Sequence, residues 1–104
     1  MLTGATLIRR VPALLALVSF CASGAQTVEV TIEDYRFMPQ EVRVKSGDAV
    51  RWTNREKRTS HSVLFPAEGG LESPRLFPGE EWQRVFDKSG TYDYRCGPHE
   101  EMKG

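Results

Sequence analysis

The chain has 104 residues, with 14 Lys and Arg balanced by 14 Asp and Glu. That length allows one domain at most. The even charge argues against nucleic acid as a partner.

The first segment does not read as part of a folded domain. Arg9 and Arg10 precede "VPALLALVSFCASGA", which is apolar or small throughout. A charged start, a short apolar stretch and a small-residue end predict a secretory signal over residues 1–25, cleaved after Ala25, with Gly24 a near rival. The run is too short and badly flanked for a membrane span. Phe20 is too bulky for a lipidation box before Cys21, and the flanks of Arg9-Arg10 fit a twin-arginine signal poorly. The expected mature domain, residues 26–104, is therefore exported to the periplasm without a stable membrane anchor. Losing Arg9 and Arg10 leaves it 12 basic and 14 acidic side chains, a net of −2. Cys96 becomes its one thiol, although small exported domains usually use cysteines in disulfides.

The mature segment predicts strands and turns but no helix. "TVEVTIEDY" alternates, with Val28, Val30 and Ile32 on one face. "EVRVK" (41–45) alternates again, Ser46-Gly47-Asp48 turns, and "AVRWT" puts Val50 and Trp52 on one face. "HSVLF" (61–65) gives His61, Val63 and Phe65 a shared face. An irregular stretch with Gly69-Gly70 and Pro78-Gly79 leads to "WQRVF", where Arg84 shares parity with Trp82 and Phe86. After Ser89-Gly90, "TYDYRC" aligns Tyr92, Tyr94 and Cys96. Short strands with Gly and Pro turns indicate an all-β antiparallel sandwich or barrel. Phe37, Trp52, Trp82, Tyr92 and Tyr94 are its expected core, and Arg55, Lys57 and Arg58 an expected solvated loop.

Parity carries the chemistry. Cys96 and His61 both point inward, from separate strands that can meet at one end of a sandwich. "CGPHEEM" then adds His99 and Met102 from the loop following Cys96. Two imidazoles and a thiolate with a weak axial thioether make the blue-copper donor set. The candidate metal ligands are thus His61, Cys96, His99 and Met102, for one copper ion alternating between Cu(I) and Cu(II). His99, on a short loop, should reach the surface, while His61 should be enclosed. The donor set fits an electron carrier; a copper storage, delivery or accessory module is the alternative. An enzyme with Cys96 as nucleophile is not expected, because no orienting acid or oxyanion donor is apparent and a metal-bound thiolate is not free to attack.

These segments resemble the cupredoxin family of type 1 blue copper proteins, and within it the amicyanins most. "FMPQEVRVKSGDAVRWTNRE", "HSVLF" and "SGTYDYRCGPHEEM" follow the amicyanin order, and the C-x2-H-x2-M spacing is the short-loop variant. The resemblance places the ligands on His61, Cys96, His99 and Met102. It implies an eight-stranded Greek-key β-sandwich and a monomer passing single electrons between redox protein partners, a dehydrogenase as donor and a c-type cytochrome as acceptor. It also implies that Asn54 ties the upstream ligand loop to the Cys loop. The chain departs from the pattern in four places. Ser62 stands where the family has asparagine, and Gly97 where it has threonine or serine, which removes hydrogen-bonding groups beside the ligands. Glu100 and Glu101 replace a partly apolar segment. The final strand is missing or shortened, which predicts an open sheet edge.

Overall fold

The computed structural model describes residues 24–104. The expected signal lies outside the described residues apart from Gly24 and Ala25, both exposed.

Strand β1 (Thr27–Glu33) carries the alternation read from its sequence: Val30 and Ile32 are buried and Glu29, Glu33 exposed. A two-residue connection, Asp34-Tyr35, returns it antiparallel into β2 (Arg36–Met38), with Glu33 opposite Arg36. Both connecting residues have positive φ, 55° and 56°. That backbone matches the twist of a tight hairpin, but it is an uncommon conformation for a residue as bulky as tyrosine. β3 (Ala49–Asn54) pairs parallel with β1, Val30 opposite Trp52, and antiparallel with β6 (Glu81–Val85), Trp52 opposite Trp82. The sheet order is β2-β1-β3-β6. β4 (Leu64–Phe65) and β5 (Leu71–Glu72) form a separate ribbon around a 3-10 turn at Pro66–Glu68. The ribbon is joined to the Cys96 segment by a bridge between Leu64 and Arg95.

The architecture is the all-β Greek-key sandwich the resemblance implied. Its core gathers Val30, Ile32, Phe37, Val50, Trp52, Val63, Phe65, Leu76, Phe86, Tyr94, Cys96 and Met102. Of the expected core aromatics, Trp82 and Tyr92 are only partly buried. Arg84 explains the imperfect alternation of "WQRVF". Its guanidinium lies 4.4 Å from the Phe65 ring centre and 4.6 Å from that of Phe86, while two 2.7 Å hydrogen bonds reach Glu68. A planar cation stacked on rings belongs on an aromatic face.

Two expected strands form no regular ladder among the described residues. Residues 41–45 bring Val42 and Val44 against the core, and residues 91–94 do the same with Tyr92 and Tyr94. Both border an open groove of about 630 Å³ over Trp52, Phe65 and Phe86. Residues 102–104 fold back along 94–96. Cys96 N–H donates to Met102 C=O at 2.9 Å, and Gly104 N–H to Tyr94 C=O at 2.9 Å.

Candidate metal centre

His61 is fixed by backbone before its ring is considered. Its N–H donates to Leu76 C=O at 3.0 Å and its C=O accepts from Leu76 N–H at 2.7 Å. The inward parity then buries the ring completely. Cys96, also fully buried, is reached across 35 positions of sequence: its Sγ lies 3.5 Å from His61 Nδ1. The turn after Cys96 brings His99 Nδ1 to 3.4 Å from the same sulfur. Met102 N–H donates to His99 C=O at 3.0 Å, which closes this short loop. Met102 is 3% exposed and packs in the core cluster with Cys96. The ligand atoms of His61, Cys96 and His99 all lie within 4.8 Å of one another. His99 is half-buried where His61 is enclosed, matching the expectation from loop position.

Hydrogen bonding on the far side of His61 supports a metal ligand. Nε2 lies 2.9 Å from Glu56 Oε2. An ionised carboxylate only accepts, so Nε2 carries the proton and the Nδ1 lone pair faces Cys96. Burial holds the His61 imidazole below the ordinary histidine range, against the opposing pull of Glu56. For Glu56, burial works against ionisation, but the Tyr35 amide and the His61 ring outweigh it and hold the carboxyl below its usual range. The pair is thus a neutral imidazole on a carboxylate. The donor set, two imidazole nitrogens within 3.5 Å of a buried sulfur, fits copper.

Two features differ from the sequence expectations. Asn54 does not reach the Cys96 loop. Its Nδ2 donates to Thr59 C=O at 2.9 Å and Leu76 C=O at 2.8 Å, and its Oδ1 accepts from Glu56 N–H at 2.8 Å. It therefore organises the 56–61 segment that delivers Glu56 and His61. The hydrogen bond expected to be lost with Ser62 and Gly97 is present in another form: Gly97 N–H donates to Ser62 Oγ at 2.9 Å.

Tyr35 was missed as a site residue. Its ring packs edge-on against both imidazoles, with centres 5.4 Å from His61 and 4.9 Å from His99, yet 51% of the residue is exposed. In sequence it is the end of an alternating strand. Only the "ED" before it signals a turn that swings it over the site. The basic loop residues Arg55, Lys57 and Arg58 are exposed, as expected.

Comparison with known proteins agrees with this geometry. The profile of copper binding proteins of the plastocyanin/azurin family matches residues 25–104. Amicyanin-alpha of Methylorubrum extorquens is 42% identical over 84 residues, covering 77% of this chain and 70% of its own. Amicyanin of Paracoccus denitrificans is 38% identical over 87 residues, covering 80% of this chain and 64% of its own. Among solved structures, an oxidised Met-to-Leu variant of amicyanin superposes with a TM-score of 0.71 at 36% identity, over 74% of this chain and 76% of that one. The Cu(I) form of a Met-to-Ala variant of amicyanin gives 0.71 at 36% identity, over 79% of each. The chain belongs to the plastocyanin/azurin family of copper-binding proteins, the cupredoxins, and its cofactor is one copper ion.

Proposed function

We propose that the chain is an exported type 1 copper protein that carries one electron at a time between redox proteins of the periplasm. His61, Cys96, His99 and Met102 are the proposed ligands, and the domain begins after a signal spanning residues 1–25. The observation that carries this reading is the approach of two imidazole nitrogens to one buried sulfur, His61 at 3.5 Å from across 35 positions of sequence and His99 at 3.4 Å from the loop after Cys96. Copper supplies a one-electron couple whose two states share this donor set. The chain supplies rigidity: His61 is held at its backbone by Leu76 and at its ring by Glu56, and Cys96 by the amide of Ser62 at 3.4 Å. Ligands that do not move between oxidation states favour rapid exchange. Burial of His61 and Cys96 excludes water, and the half-buried edge of His99 beside Tyr35 is the proposed point of electron entry and exit.

The domain acts as a carrier between a donor such as a dehydrogenase and an acceptor such as a c-type cytochrome, as a monomer without catalysis of its own. Titration of the mature protein with Cu(II), followed by visible absorption and voltammetry, tests this. An intense blue band with a reversible one-electron wave is expected. A colourless complex, or a strong preference for Cu(I) with no reversible wave, overturns the carrier reading in favour of copper delivery.

A further inference from the structure

The two departures beside the ligands, Ser62 and Gly97, belong to one arrangement, and Glu72 completes it. The β4–β5 ribbon sets Glu72 opposite Leu64, two residues after Ser62. Ser73 holds the ribbon against the same segment: Ser73 N–H donates to Val63 C=O at 2.9 Å, and Val63 N–H donates to Ser73 Oγ at 3.0 Å. Glu72 then accepts the Ser62 hydroxyl proton at 2.6 Å. With its proton committed to the carboxylate, Ser62 Oγ turns a lone pair to the Gly97 amide at 2.9 Å. The amide of the same Ser62 donates to Cys96 Sγ at 3.4 Å. Both neighbours of the sulfur in this network, the Ser62 backbone and the Gly97 backbone, are therefore held by one hydroxyl whose orientation a carboxylate sets.

Glycine at 97 is the steric counterpart. A Cβ there would stand 2.1 Å from Glu72 Oε2 and 2.7 Å from Ser62 Oγ. Any side chain at this position displaces the carboxylate or the hydroxyl. Ser62 is 1% exposed, so its hydroxyl cannot substitute bulk water for either partner.

We propose that Glu72 is a positioning residue for Cys96, acting through Ser62 and the Gly97 amide, and that its negative charge favours the oxidised form of the copper centre. The inference rests on the copper reading above for its effect on the metal, but the positioning itself belongs to the metal-free fold. Glu72 differs from an ordinary structural contact in carrying a charge two hydrogen bonds from the ligand sulfur, so a neutral replacement and a truncation should separate its roles.

The test uses Glu72→Gln, Glu72→Ala, Gly97→Ala and the double variant Glu72→Ala/Gly97→Ala. In the metal-free protein, Glu72→Ala should speed hydrogen exchange of the Gly97 amide about fivefold, the factor of one net hydrogen bond. Glu72→Gln, which retains an acceptor for the hydroxyl, should leave it near wild type. In the copper-loaded protein, both substitutions at 72 should raise the reduction potential, because a negative charge that favours Cu(II) is gone. Gly97→Ala should shift the thiolate-to-copper absorption band, and adding Glu72→Ala should return part of that shift, since the nearer clash is then removed. Unchanged Gly97 exchange in Glu72→Ala, or an unchanged potential in Glu72→Gln, overturns the proposal. If wild-type protein never develops the blue band, the copper reading fails, and the metal-free exchange rates still decide whether Glu72 positions the loop.

Discussion

Glu56 and His61 share one short contact, Oε2 to Nε2 at 2.9 Å, and the same carboxylate oxygen also receives the Tyr35 amide at 2.8 Å. One acid therefore fixes the enclosed proposed ligand, His61, and the tyrosine that packs over it. Glu56→Ala should leave two donors without an acceptor and destabilise the metal-free protein by about 1–3 kcal/mol. Urea melts at neutral pH measure this; a change within error would mean that water replaces the carboxylate.

The pH dependence follows from the same pair. His61 in the folded protein titrates below the ordinary value of 6.5, so the unfolded chain takes up its proton first as pH falls. Stability from a buried neutral imidazole is fully present above 6.5 and is lost as pH drops toward the depressed folded value. Glu56, also lowered, adds stability above 4.5 that is lost as pH falls through its own folded value. Thermal midpoints of the metal-free protein should be flat above neutral pH and fall in two stages on acidification. A midpoint that rises between pH 6 and 4.5 would contradict the His61 assignment, and one that rises below 4.5 the Glu56 assignment.

Cys96→Ser should abolish the blue colour of the copper protein, because the intense band requires the thiolate. The serine hydroxyl retains an acceptor for the Ser62 amide. The cost in stability should be about 1–2 kcal/mol, with far-ultraviolet circular dichroism unchanged. A serine variant that stays blue would remove Cys96 from the ligand set.

Met102→Gln tests the proposed fourth ligand. An axial thioether is a weak contact that tunes the potential, and a harder oxygen in its place favours Cu(II). The variant should keep copper and colour and show a lower reduction potential by voltammetry. An identical potential would leave Met102 as a core residue, consistent with its 3% exposure alone.

The groove between residues 41–45 and 91–94 gives a prediction about stability. Its walls include Val42, Val44, Tyr92 and Tyr94, and two buried polar atoms of residues that line it, Trp52 Nε1 and the Tyr94 hydroxyl, lack a well-formed hydrogen bond among the described residues. A strand of alternating valines joined to Gly104 should enter it, since residues 102–104 already run along 94–96. It should raise the thermal midpoint of the metal-free protein by several degrees, as expected for 1–2 kcal/mol in a domain of this size. No change would mean that the groove walls close on each other in solution.

What the sequence made legible was the part governed by alternation. Val30, Ile32, Val50 and Trp52 lie where period-two patterning put them, and the same parity aimed His61 and Cys96 inward. Pattern fails where a side chain's place is set by chain reversal or by another element. Tyr35 lies over the imidazoles because of a two-residue turn with left-handed backbone, which alternation does not encode. Glu72 carries no signal in the sequence; its place beside Ser62 depends on a ribbon register invisible from either strand alone. Arg84 broke the alternation of its strand, and the break marked a stacked cation rather than an error of register.

The parallel pairing of β1 with β3 has a consequence for how the protein is made. Glu29 and Arg51, opposite each other in that ladder, are 22 positions apart, and the His61–Cys96 approach spans 35. Such contacts close large loops before any of them is rewarded, which places the chain among topologies that fold in milliseconds to seconds. Of the proposed donors, Cys96, His99 and Met102 share one short turn, and His61 joins them only when the strands close. A nascent or partly folded polypeptide therefore offers copper only the Cys96–Met102 turn, and the metal should enter last, after the rate-limiting step, so that copper concentration alters the yield of loaded protein without altering the speed of its folding.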